Sequence, residues 1–322
     1  MDKLSRREFI GATIAATGIA GTGALIGHEF FGTGTPKPGL EAPEPVLIDR
    51  SIKSPADRVR LGKSGLRMSV IGIGTGTVGW NHQSNQTRLG QEGFTRLMRH
   101  AFDSGLNFFD LADQYGSNPY FARAMKGVPR DQYLIQTKTN SRDPKDARQD
   151  IDRFLSELGT DHIDSLIVHC VTEADWTTRY RGVMDVFEEA KRQGKIRSHG
   201  VTCHDFRALQ AAEASDWVEV NQVRWNPRAA HMDADVETAR SLFRKMRSKG
   251  QGMIGMKVVG QGDLVNGRKK ALSPEECIRF QIESGVVDAF VLGVESTQHI
   301  DQALHGTQLA LNELGYRAVN VV

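Results

Sequence analysis

The chain is 322 residues long, 39% hydrophobic and 25% charged, with 41 Lys and Arg against 39 Asp and Glu for a formal net charge of +2. That length builds a sizeable core in one large domain or two ordinary ones. The near-neutral balance excludes an acidic disordered tail and gives no support to nucleic-acid binding, which calls for a basic excess on one face. Cys170, Cys203 and Cys277 are odd in number and lack metal-ligand spacing, so neither a disulfide scaffold nor a metal site is expected.

The first segment is an address. Ser5-Arg6-Arg7 leads through Glu8 into a stretch from Phe9 to Gly27 without a charged side chain, interrupted by Gly11, Gly18, Gly21 and Gly23. A permanent spanning helix wants about 20 more strongly apolar residues. The pattern over residues 1–31 is similar to a bacterial twin-arginine export signal. That likeness implies the translocation machinery as partner, a periplasmic location, and no stable membrane span after processing. No small-x-small cleavage site stands out, so removal and retention as an N-terminal anchor are both open. Residues 32–57, rich in Gly, Pro and Thr at their start, read as a linker, and residues 58–322 as one catalytic-sized domain.

Val59 to Met68 reads as a hairpin with Gly62, Lys63, Ser64 and Gly65 at its turn. Short apolar runs then follow at Ser69–Gly74, Asn107–Ala112, Tyr133–Thr137, Ile163–His169, Arg197–Thr202, Trp217–Val223, Met253–Val258 and Asp288–Leu292. Amphipathic stretches lie between them. Ile151, Phe154, Leu155 and Leu158 recur at helical spacing within Asp146–Leu158, and Val183, Met184, Val186 and Phe187 do so within Arg181–Arg192. Ser273-Pro274-Glu275-Glu276 is a helix start.

Strands alternating with helices pair in parallel through right-handed crossovers. Eight such units in about 250 residues match a closed (β/α)8 TIM barrel, here with an N-terminal β-hairpin closing the bottom. An open doubly wound sheet competes, because Gly74-Thr75-Gly76-Thr77-Val78-Gly79 satisfies the dinucleotide fingerprint. That fingerprint wants a strand-end acid about 20 residues on, whereas Asp110 lies 31 residues past Gly79 and a polar stretch, not a helix, follows. The glycines therefore read as a decoy.

In such a barrel, chemistry gathers where the strands finish. The second strand delivers Asp110 and, just beyond it, Tyr115; the third delivers Lys138 and the fourth His169. A free phenol titrates near ~10 and is a poor proton donor at neutral pH. An ammonium within ~4–6 Å lowers that value. Lys138 is expected to supply the charge, Asp110 to hold the ammonium, and His169 to orient a substrate oxygen toward Tyr115. Taken singly, each residue has a duller reading as a turn cap, packing aromatic, solvated terminus or core histidine; the combination is more specific than any member.

Asn-Phe-Phe-Asp-Leu-Ala-Asp-Gln-Tyr-Gly from Asn107, Gln136-Thr137-Lys138-Thr139 and Ile163-Asp164-Ser165-Leu166-Ile167-Val168-His169 resemble three core motifs of the aldo/keto reductase family. Leu61 to Leu66 and Ile71 to Thr75 resemble its opening hairpin and first strand. His199 to Cys203 and Val220 to Val223 resemble its fifth- and sixth-strand motifs. The likeness runs from about Val59 to Leu304 and implies an NADP(H)- or NAD(H)-dependent oxidoreductase acting on a small carbonyl substrate. In it Tyr115 is the general acid, Lys138 and Asp110 tune it, and His169 orients.

The resemblance also implies cofactor contacts from Thr75, Thr202, Cys203, Gln222, Lys257, Gly293 and Ser296. Thr202-Cys203 stands where the family often has Ser-Asn, and cysteine is a weak hydrogen-bonder. Met256-Lys257 replaces an aromatic under the nicotinamide, with Lys257 expected near the cofactor's pyrophosphate or the substrate. Glu295, Ser296 and His299 replace the cations that clamp a 2′-phosphate, so the cofactor form stays open. Trp80, Trp176 and Trp225 are expected to wall the substrate pocket, with Arg224 or Arg228 favouring an anion. A second function is kept beside the enzyme: a barrel that holds the cofactor and reports redox state without turnover.

Overall fold

The computed structural model describes residues 52–265 and 271–319. The expected export segment, residues 1–31, and most of the expected linker lie outside the described residues. Residues 52–57 belong to the body, not to a linker. Ile52 is buried in the core, and the Lys53 carbonyl accepts a hydrogen bond from Gln308.

A two-stranded antiparallel hairpin, β1 (Arg58–Arg60) and β2 (Arg67–Ser69), precedes eight parallel strands. These are β3 (Ile71–Gly74), β4 (Phe108–Asp110), β5 (Leu134–Thr139), β6 (Ile163–Val171), β7 (Ile196–Cys203), β8 (Val220–Arg224), β9 (Gly252–Met256) and β10 (Ala289–Gly293). They close in sequence order, with β10 pairing both β9 and β3. The expected TIM barrel is the observed fold, and each expected apolar run overlaps one barrel strand.

The helices between strands form where pattern and caps agree. The helix over Pro144–Leu158 starts at Asp143, whose carboxylate accepts from the Lys145 and Asp146 amides, and ends at Gly159 with φ +62°. Its buried residues, Ala147, Ile151, Phe154 and Leu158, share one face. The helix over Pro274–Ser284 carries the capping box its sequence announces, with Ser273 and Glu276 bonding each other's amides.

The hairpin turn reaches the N-terminal end of the barrel. Lys63 N donates to Gly250 O at 2.6 Å, and Leu61 is fully buried against Gly252, where a Cβ would stand 2.6 Å from Leu61 Cγ. Leu61 thus stoppers the bottom of the barrel, which leaves the opposite end, where the strands finish, for chemistry. Among the described residues no helix is long and apolar enough to cross a membrane.

Candidate active site

Parallel pairing puts the last residues of β4, β5 and β6 at one level: Asp110 is in register with Gln136, and Lys138 with Ile167. Asp110 is the hub. Its Oδ1 accepts from Lys138 Nζ at 2.6 Å and from Gln136 Nε2 at 2.8 Å, and its Oδ2 accepts from Gln222 Nε2 at 3.0 Å. Lys138 is 1% exposed and also donates to the Leu111 carbonyl at 2.7 Å. Stranding either partner of such a buried pair would cost about 3–5 kcal/mol, so the pair sits rigidly.

Tyr115 follows β4 in a single 3-10 turn, Asp113–Tyr115, closed by Gly116 at φ +63°. Arg153 fastens this turn by donating to Asp113 at 2.7 Å while also engaging Asp150 and Glu157. The Tyr115 hydroxyl and His169 Nε2 share a hydrogen bond of 3.4 Å, their rings meeting edge-to-face at 5.6 Å between centroids. Lys138 Nζ lies 5.0 Å from the centre of the same phenol ring. The four predicted catalytic side chains therefore converge.

Their electrostatics depart from the sequence expectation. Burial, then the negative charge of Asp110 and Cys170, push the Tyr115 phenol well above its ordinary value. Lys138 approaches the ring and spends its hydrogen bonds on Asp110 and Leu111, so its charge is largely neutralised by its partner. The phenol is accordingly a neutral, proton-holding group. Burial, followed by the nearby Lys138, drives His169 well below the usual imidazole range, so it is neutral at pH 7 and carries a single ring N–H. Burial likewise lowers Lys138, against the opposing pull of Asp110.

Three positioning features were missed or misread in the sequence. Gly76 and Gly79 press on the Tyr115 ring: a Cβ at Gly76 would lie 2.3 Å from Tyr115 Cε2, and one at Gly79 would lie 2.4 Å from Cδ1. The glycine pattern thus serves the phenol. Arg142 donates to the His169 carbonyl at 2.6 Å and stacks on Tyr180; nothing in its sequence context signals this. Gln136 braces Asp110 while accepting from Ser165.

The predicted cofactor contacts divide. Among the described residues, Thr202 Oγ1 and Gln222 Oε1 are buried polar atoms without a hydrogen-bond partner, on the adjacent strands β7 and β8. An unpaired buried acceptor or hydroxyl is costly unless something completes it, and a carboxamide offers both a donor and an acceptor. The nicotinamide group fits these two residues. Cys203 is corrected: it is fully buried in the apolar core, facing away from Thr202 as strand alternation requires, and burial raises its thiol well above normal. The Thr75 hydroxyl is consumed internally, between Asp110 O at 3.0 Å and Ser117 Oγ at 2.9 Å. Gly293 is exposed and abuts Thr77, and Ser296 Oγ accepts from the His299 amide at 3.3 Å. Lys257 is half-buried just beyond β9.

Trp80 is 72% exposed, on the segment that covers Tyr115. Trp225 does not wall a pocket: it is fully buried, donates to Ser284 Oγ and packs on Phe243 and Phe280. Trp176 is equally buried, bonded to the Ala208 carbonyl. Arg224 is bound to Asp233 through two nitrogens. Among the described residues no group of three or more His, Cys, Asp or Glu is arranged to hold a metal.

A closed parallel barrel here brings a phenol, a neutral imidazole and a buried lysine–carboxylate pair together at its C-terminal mouth, the kinds of group that acid–base chemistry uses. The Aldo/keto reductase family model matches residues 70–306, and the chain belongs to that family, whose members use NAD(P)H. Over 213 residues it is 25% identical to L-galactose dehydrogenase of Arabidopsis thaliana, covering 63% of this chain and 65% of that protein. It is 25% identical over 170 residues to an NADH-specific methylglyoxal reductase of Escherichia coli, covering 44% and 51%. These alignments span less than two thirds of either relative's own length. The holo form of aldo-keto reductase AKR11C1 from Bacillus halodurans superposes with a TM-score of 0.62 at 16% identity, over 80% of this chain and 96% of that one, which is a likeness of fold.

Proposed function

We propose that the protein reduces an aldehyde or ketone, or oxidises the corresponding alcohol, with Tyr115 as general acid–base. The observation that carries this is the phenol held against His169 and above the buried Lys138–Asp110 pair. Thr202 and Gln222 would hold the carboxamide of NAD(P)(H), which supplies or accepts the hydride when bound. Gln222 would do so through Oε1 while its amide nitrogen stays on Asp110, linking cofactor site and acid.

The chain's own groups handle the oxygen. Neutral His169 donates its N–H to the carbonyl oxygen and aims it at Tyr115. As negative charge grows on that oxygen it takes the Tyr115 proton, and the Lys138 ammonium 5.0 Å from the ring centre offsets only the part of the phenolate charge that its pairing with Asp110 leaves it. Acid–base assistance of this kind is worth about 10²–10⁴ in rate. Tyr115→Phe should lower kcat by about that factor in assays with generic aldehydes, while cofactor affinity, read by fluorescence titration, holds. A wild-type protein that binds cofactor yet turns over no carbonyl would instead support the redox-reporting module.

The Ser5-Arg6-Arg7 segment supports export by the twin-arginine route to the periplasm. Residues 1–57 fused to a reporter should carry it across the inner membrane, and changing Arg6 and Arg7 to Lys should retain it inside. Export that is indifferent to both arginines would refute that route.

A further inference from the structure

The turn that carries Tyr115 is held from outside the barrel. Arg153 lies on the helix over Pro144–Leu158, between β5 and β6. Among the described residues its hydrogen-bond partners are three carboxylates. Nη1 donates to Asp113 Oδ1 at 2.7 Å and to Glu157 Oε1 at 2.9 Å, and Nη2 donates to Asp150 Oδ1 at 2.7 Å.

Each carboxylate leads back to the mouth by its own route. Asp113 opens the 3-10 turn that ends at Tyr115. Asp150 Oδ2 accepts from the hydroxyls of Ser141 and of Thr139, the residue after Lys138. Glu157 Oε2 accepts from Asn118 Nδ2 at 3.1 Å, and Asn118 Oδ1 accepts from Thr137, the residue before Lys138, at 3.2 Å. The phenol is thus bracketed at Asp113 and Asn118 and the ammonium at Thr137 and Thr139, and all four anchors meet at one guanidinium. Asn118, Thr137 and Thr139 are buried, so the links from Arg153 inward have little room to shift. Asp150 and Glu157 sit on the helix itself, whereas Asp113 sits on a single turn. Without the cation the three carboxylates repel, and the turn bearing Tyr115 is the part that yields. The Arg153 side chain is 40% exposed, so water screens its pairs and overall stability depends on them little. What Arg153 controls is place.

Resting on the reductase reading, we propose that Arg153 is a positioning residue for the acid–base step: acting through Asp113, it fixes where the Tyr115 phenol stands relative to Lys138 and His169. Its loss slows proton transfer and leaves the binding of substrate and cofactor as it was, because the displaced group is the phenol alone.

The test uses the full chain with reduced cofactor and 4-nitrobenzaldehyde. Arg153→Gln should lower kcat by about tenfold to a hundredfold, the scale of a misplacement of up to about 1 Å, with KM and cofactor affinity unchanged. Arg153→Lys, which keeps the charge but not the fork that serves several partners, should recover part of the loss. Asp113→Asn combined with Arg153→Gln should be no slower than Arg153→Gln alone, since one route carries both effects. Arg148→Gln, on the same helix but paired with Glu189, controls for the helix and should leave kcat intact. A second readout needs no turnover: in protein labelled with 3-fluorotyrosine, the fluorine resonance that Tyr115→Phe removes should shift or broaden in Arg153→Gln and stay put in Arg148→Gln. Multiplying losses in the double variant, an equal loss in Arg148→Gln, or a loss confined to KM would each overturn the proposal. An enzyme whose kcat and Tyr115 resonance ignore Arg153→Gln sinks the positioning role alone. A wild type without turnover whose Tyr115 resonance still answers to Arg153→Gln sinks the reductase and keeps Arg153 as the group that places the phenol.

Discussion

At the scale of single residues, the proposed acid Tyr115 and its proposed orienter His169 are set by burial more than by neighbouring charge. A phenol raised well above its usual range and an imidazole depressed well below its own are both neutral across the span where free groups of their kind titrate. The sign follows for activity. If Tyr115 is the acid, as proposed, it must carry its proton in the reducing direction, so deprotonation with rising pH stops the reaction, and the raised value moves that loss to more alkaline pH than an ordinary phenol gives. Protonation of His169 would remove its neutral form only well below pH 6.5. The kcat/KM of carbonyl reduction should therefore be flat from pH 6.5 through 9. A descending limb near neutrality would show that another group donates the proton.

At the scale of elements, the segment between β3 and the first helices clamps Tyr115, the proposed acid. Val78, Asn81 and His82 all adopt left-handed backbone at φ +49°, +51° and +56°. His82 O would collide at 2.0 Å with any Cβ at Gly116, the residue after Tyr115. Such strain persists where surrounding contacts over-determine it. Gly79→Ala should push the phenol off its position, and a displacement near 1 Å costs about 10² in rate, with cofactor affinity retained. Stopped-flow or steady-state kcat beside a cofactor titration reads both. Loss of cofactor binding with kcat intact would restore the dinucleotide-loop reading of these glycines.

At the scale of the whole molecule, buried neutral histidines link stability to pH. His199 stacks on Trp217 at 4.4 Å between centroids, 6% exposed, with burial pulling its pKa down to about 4. His204 is pulled down to about 3 for the same first reason. The unfolded chain takes up these protons near pH 6.5 and the folded one only far lower, so between those values the unfolded state binds more. Stability is thus fully present above about pH 6.5 and declines as pH falls toward 4. His199 alone accounts for on the order of 3 kcal/mol over that window. Urea midpoints taken from pH 7 to 4.5 should fall in wild type and fall less steeply in His199→Phe, which keeps a ring on Trp217. Equal slopes in the two proteins would remove His199 as a source.

The alternation of apolar runs and amphipathic stretches made the barrel legible from residues alone, because strand and helix periods are local properties and only one closed arrangement suits eight such units. The motifs at the strand ends likewise marked Asp110, Tyr115, Lys138 and His169, since parallel register converts equivalent positions along separate strands into one rim. What each group does there was decided in three dimensions. Whether Trp225 faced a pocket or the helices, whether Cys203 or Thr202 faced the mouth, and whether Arg224 was free or bound to Asp233 depend on which face a side chain takes and what meets it. So does the phenol's acidity, which answers to the low-dielectric wall around it and to the carboxylate that occupies its lysine. Gly76 and Gly79 show the division most plainly: the spacing of the glycines is written in the chain, but the ring that requires them comes from another strand.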